Sequence, residues 1–156
     1  MSENIFPSRE DHAAALAAVD PDRITEIANR IIRRATVEPL APPRDGLMLL
    51  QMRDSVAGAA FHLGEIPVTQ VHLRLSDGAR EAEGGAALMS DDLDRVTRIA
   101  VLDAAHAADW PEAPEIAAMI AEGVVVRAQT EADRALVLER TRVDFQLLTG
   151  GEDDAD

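Results

Sequence analysis

The chain has 156 residues, 47% of them hydrophobic, with 15 lysines and arginines against 29 carboxylates and a net charge of −14. A field of that sign repels nucleic acid and anionic membrane and weighs against a self-sufficient phosphate site. Cysteine is absent, which excludes disulfides and thiolate metal sites and fits a reducing compartment.

The length fits one domain, expected over residues 1–149, and the hydrophobic share argues against global disorder. Aromatics are only 3%, so large core anchors are few and part of the apolar surface is expected to be completed by a partner. The opening MSENIFPSRED has no basic segment followed by an apolar run, so no signal peptide is expected. No apolar stretch reaches the roughly 18–20 residues that span a membrane. The expectation is a cytoplasmic, soluble protein.

Residues 8–35 read as two helices. Ser8 is placed to cap the first, and Asp20 with Pro21 starts the second. Ile24, Ile27, Ala28, Ile31 and Ile32 share one helical face. Arg30, Arg33 and Arg34 follow near the C-terminal end, where a solvated basic cluster compensates the helix dipole. Residues 36–45, TVEPLAPPRD, hold three prolines and read as a connector. Residues 46–53 form a short apolar strand, and 54–60 a loop of small residues. The following Phe-His-Leu-Gly-Glu is irregular enough to read as a Gly-bearing loop. Val71, Leu73 and Leu75 then alternate with His72 and Arg74, the period of a half-buried strand.

Asp77-Gly78 signals a hairpin turn, and residues 79–88 read as the return strand. Gly84-Gly85 there suggests a bulge or a close backbone approach. Ser90-Asp91-Asp92 opens a helix carrying Leu93, Val96, Ile99 and Ala100, which Trp110-Pro111 breaks. Another helical region begins at Glu112 or Glu115. Gly123 and Val124-Val125-Val126 interrupt it, and it resumes from Glu131 toward Phe145. The acidic tail 150–156 is expected to be disordered. The predicted class is α+β: a small antiparallel sheet of about three strands flanked by N-terminal and C-terminal helices.

Chemical motifs are sparse. Gly84-Gly85 lacks the lysine and helix setting of a phosphate loop. His62, Glu65 and His72 can be drawn as metal ligands of a stand-alone enzyme, but residues ten apart in one strand lie about 33 Å apart. His106 and Asp109, one helical turn apart, are only two groups. Residues 140–145, Arg-Thr-Arg-Val-Asp-Phe, read equally as a surface Arg–Asp pair at a helix end or as a docking segment with an aromatic anchor. A generic homo-oligomeric interaction module is a further reading.

Taken together, Phe-His-Leu-Gly-Glu running into Val68-Thr69 and Arg74-Leu75, with Thr-Arg-Val-Asp-Phe at 141–145, resembles the PhnG family, the G subunit of the bacterial carbon–phosphorus lyase core complex. The family's Asn is His62 here, the Arg after Val-Thr is Gln70, and a Gly-Arg-Asp segment is Ser90-Asp91-Asp92. Gln146 replaces a second aromatic. The resemblance implies a non-catalytic but required subunit working with the H, I and J subunits and the L protein. Its implied role supports transfer of the ribose triphosphate of ATP to a phosphonate. S-adenosylmethionine and an iron–sulfur cluster belong to another subunit, and this chain is implied to bind no cofactor or metal alone. A homodimer is one form open to the isolated subunit. The implied partner or composite-site residues are Phe61, His62, Leu63, Gly64, Glu65, Thr69, Arg74, Thr141, Arg142, Asp144 and Phe145, with Gly64 permitting a turn or close approach.

Overall fold

A computed structural model describes residues 7–141. The chain runs α1 (Arg9–Leu16), α2 (Pro21–Ile32), β1 (Thr36–Pro39), β2 (Arg44–Arg53), β3 (Ala60–Ser76), β4 (Glu81–Leu88), α3 (Leu93–Ala107) and α4 (Ala113–Arg140). This is an α+β fold with four strands rather than three. The extra strand is β1, inside the stretch read as a connector. Its Val37 pairs with Leu75, and Pro39 is tolerated because it ends a strand at the sheet edge.

All the sheet depends on β3. It pairs antiparallel with β2 along residues 60–70, with β1 along 73–76, and with β4 along 69–76. The C-terminal half of β3 therefore has neighbours on both sides, and α3 packs on it. Val71, Leu73 and Leu75 are buried there, as their alternation predicts. The N-terminal half has only β2 beside it.

Phe61 to Glu65 is strand, not loop. Its irregularity comes from a β-bulge: Gly64 pairs with Leu50 and His62 with Gln51, leaving Leu63 as the extra residue. The bulge thus lies here and not at Gly84-Gly85. Gly64 is in no turn, and a Cβ built on it meets nothing within 4 Å.

Capping follows the sequence at α2, and at α3 the structure assigns the cap to Asp92. Asp20 Oδ1 accepts from the Asp22 N–H at 3.0 Å, and Asp92 Oδ1 from the Arg95 N–H at 2.9 Å. Ser8 does not cap: its hydroxyl donates to the Asp11 carboxylate. The basic residues of α2 and of the turn after it are not merely solvated. Arg34, Arg30 and Arg23 pair in antiparallel order with Glu112, Glu115 and Glu122. The Arg23 and Arg30 pairs are half exposed and contribute little. The Arg34 pair is different, because Glu112 is buried, Arg34 grips both its oxygens, and the guanidinium lies 5.4 Å from the Trp110 ring centroid.

Gly123 and the three valines do not interrupt α4, which is continuous for 28 residues. β-branched residues weaken a helix only slightly, and Gly123 has a packing role. A Cβ there would overlap the Ala15 carbonyl, so the glycine lets α4 cross α1 closely. Gly84 does the same for the sheet: a Cβ there would overlap the Ala100 carbonyl and lie 2.7 Å from Ala104 Cβ. Gly84→Ala should destabilise the fold by about 1–3 kcal/mol through overpacking, measured as a lower urea midpoint with an unchanged slope.

Candidate functional site: a bare β-arm

β2, the residue 54–59 loop and the first half of β3 form a two-stranded arm beyond the helix-covered part of the sheet. Nine of the ten β2 residues are exposed. Leu47 (65%), Leu49 (58%) and Leu63 (64%) stand bare, with Met48, Met52 and Phe61 less so. These side chains occupy both faces of the ribbon, so folding the chain upon itself leaves neither face covered. Two-stranded ribbons are marginal alone in water.

The arm is nevertheless built to hold shape. At its tip the Asp54 carboxylate accepts from the N–H groups of Val56 (2.9 Å) and Ala57 (3.0 Å), which hold its pKa below the ordinary carboxylate value. Gly58 N donates to the Asp54 carbonyl, and Gly58 takes φ 67°, where glycine is unstrained. Val56 projects from this tip, 93% exposed. At the base, Thr69 is fully buried, its hydroxyl 2.8 Å from Asp45 Oδ1 and 2.7 Å from the Ser90 carbonyl. Its one hydroxyl proton serves either acceptor in turn, so Thr69 sits buried where β2 meets the loop before α3.

The expected site residues therefore separate into groups. Phe61, His62, Leu63, Gly64 and Glu65 lie exposed on the arm. Thr69 is a buried internal clamp. Arg74 lies on the sheet face away from α3, paired with Glu81 and Glu83. Thr141 closes α4, its hydroxyl 3.1 Å from the Val137 and Leu138 carbonyls. Arg142, Asp144 and Phe145 lie outside the described residues. Among the described residues, no hydrogen bond or ion pair joins Thr141 to the arm.

His62 and His72 sit ten residues apart on the same continuous strand, and His72 lies 3.4 Å from Glu83 instead. No group of three or more metal-ligating side chains comes together among the described residues. No helix among them is long and apolar enough to cross a membrane.

The sequence reading missed two contributors. One is β2, whose unbroken Leu-Met-Leu-Leu run puts apolar side chains on both strand faces, a signal of two-sided contact. The other is the distal half of α4, where Val125, Leu136, Val137 and Leu138 are exposed.

The body also holds a buried polar cluster. Asp103 is bound by Arg9 through Nε at 3.2 Å and Nη2 at 2.8 Å, and by the Gly85 N–H at 3.2 Å. His12 Nδ1 lies 3.5 Å from Asp103, and the His12 and His106 rings are 5.3 Å apart. Burial, followed by repulsion from His12, lowers the His106 pKa below 6.5.

Fold and surface together define a class: a small α+β protein with a tied polar interior and apolar surface left bare on projecting elements. The chain matches the family of the phosphonate metabolism protein PhnG over residues 7–151 and belongs to that family. Membership places it in phosphonate metabolism, within a multi-subunit assembly. No curated protein matches the chain.

Because the folded state holds the lowered His106 pKa, the unfolded chain binds this proton more readily. Stability should therefore be level above about pH 6.5 and fall as pH drops below it toward the folded pKa. His106→Gln should flatten that slope, as read from urea midpoints between pH 7 and pH 5.

Proposed function

We propose that this chain is a non-catalytic but required subunit of a carbon–phosphorus lyase assembly. It supports transfer of the ribose triphosphate of ATP to a phosphonate, giving ribose 1-phosphonate 5-triphosphate, with the H, I and J subunits and the L protein as partners. The S-adenosylmethionine and iron–sulfur chemistry that later breaks the C–P bond is carried by another subunit. The observation that carries an assembly role is the arm, which exposes apolar side chains on both faces yet has a fixed tip and a clamped base. Exposed apolar surface on this scale marks interaction sites.

The electrostatics favour the same division of labour. Among the described residues, Arg9, Arg23, Arg30, Arg34, Arg74, Arg80 and Arg98 are all committed to carboxylates of the same chain. The cleft of about 350 Å³ at the base of the arm is lined by Asp45 and Asp91 as well as Thr69 and Ser90. Carboxylates there repel a triphosphate, so the nucleotide is held by partner chains, and this subunit shapes or steadies their site.

Co-expression with the H, I and J subunits should give one complex on size-exclusion chromatography. Leu63→Asp together with Phe61→Ala should lower recovery of this chain in that complex at least tenfold while leaving its own melting temperature near wild type. Growth on a phosphonate as sole phosphorus source should fail in step. A wild-type chain eluting apart from the three subunits at every salt concentration would remove this reading.

A further inference from the structure

The body occupies the middle of one edge of the sheet and leaves another open. On β4, the Glu83 carbonyl accepts from Arg9 at 2.6 Å and the Gly85 N–H donates to Asp103. On β2, which pairs only with β3, no hydrogen bond of the described residues reaches the outer edge. That edge is ten residues long, roughly 33 Å, apolar and exposed. Such an edge templates pairing with another strand.

Its sequence selects the strand. Residues 44–54 read Arg-Asp-Gly-Leu-Met-Leu-Leu-Gln-Met-Arg-Asp, the same charged pair standing at each end of an apolar run. Antiparallel pairing of two copies about Leu49 sets Arg53 opposite the partner's Asp45 and Arg44 opposite the partner's Asp54. The two-fold axis repeats both, so four opposite-charge pairs frame an apolar centre in which Met48 meets the partner's Leu50. Sliding by one residue sets Arg44 against the partner's Arg53, and like charges directly opposite are destabilising. The pattern thus chooses its own register.

Net charge is compatible with this arrangement. Residues 44–68 carry two arginines against three carboxylates, nearly neutral in a chain of −14. Strands overlapping along the arm place the acidic bodies at opposite ends, about 30 Å apart. That exceeds the Debye length of about 8 Å at physiological salt.

We infer that the outer edge of β2 is a homodimer seat, where two copies of this chain join their arms antiparallel into a four-stranded ribbon. The inference goes beyond the lyase reading and does not depend on it.

Sedimentation equilibrium of the full chain should give twice the 16.8 kDa chain mass. Arg53→Glu and Asp45→Lys each place like charges opposite one another at both ends, and each should weaken self-association by about tenfold or more. Mixing the two variants should restore the dimer, because in the heterodimer every one of these contacts again joins opposite charges. A variant that had merely unfolded could not recover in this way. Three results would overturn the inference: a monomeric wild type, variants that stay dimeric, or no recovery on mixing. Protection of β2 amides from exchange only when the H, I and J subunits are added to a monomeric chain would assign the edge to one of them instead.

Discussion

The Asp103 carboxylate is the point on which the body of this protein turns. It is 4% exposed, and a buried carboxylate is tolerable only with donors around it. Those donors come from two other elements: the Arg9 guanidinium of α1 and the Gly85 N–H of β4. Arg9 also takes the Glu83 carbonyl. The Glu83 carbonyl and the Gly85 N–H thereby have partners, while Gly84 between them lets α3 approach the strand. One ionic cluster thus fixes helix to helix and helices to sheet, and it also protects an edge strand from foreign pairing.

The consequence appears at the other end of β3. A 17-residue strand is longer than the helices can cover, so its N-terminal half and β2 run out as an arm. The body has spent its few large side chains on its own core, with Trp110, Leu73, Leu75 and Ile99 buried. On the arm, Leu47, Met48, Leu49 and Leu63 are left to be desolvated by something other than this chain. Thr69 and the Asp54 turn limit how far the arm can rearrange, which lowers the ordering cost of any association. A subunit role and a strand-edge dimer are both consistent with that design, and they use different surfaces: side-chain faces for one, backbone edge for the other.

Local signals were legible where a local cause decides the structure. The Ile24, Ile27, Ala28 and Ile31 face of α2, the Asp20 cap, the Asp77-Gly78 turn and the alternation of Val71, Leu73 and Leu75 all have short-range reasons and appear as read, while Ile32 of the predicted face is exposed. The failures have one origin. Val37 becomes a strand because β3 offers it a ladder, and Phe-His-Leu-Gly-Glu becomes a strand because β2 does. Val124 to Val126 stay helical because the Gly123 crossing with α1 anchors the helix before them. The Arg34–Glu112, Arg30–Glu115 and Arg23–Glu122 pairs join residues 78 to 99 positions apart, beyond any pattern within one element.

By itself the sequence determined the α+β class, the acidic and cysteine-free chemistry, the principal helices, and a family resemblance resting on two motifs. Those are properties of composition, of side-chain period and of short motifs, and they survive without knowledge of neighbours. Tertiary structure alone decided that Thr69 is a buried clamp while Phe61 and Leu63 are bare, although all three lie on one strand. It also decided that Arg9 and Asp103 occupy the middle of the β4 edge while the β2 edge is open. Burial and edge satisfaction depend on which distant elements reach a strand: here α3 packs on β3, whose buried residues lie in its C-terminal half, and α1 packs on β4.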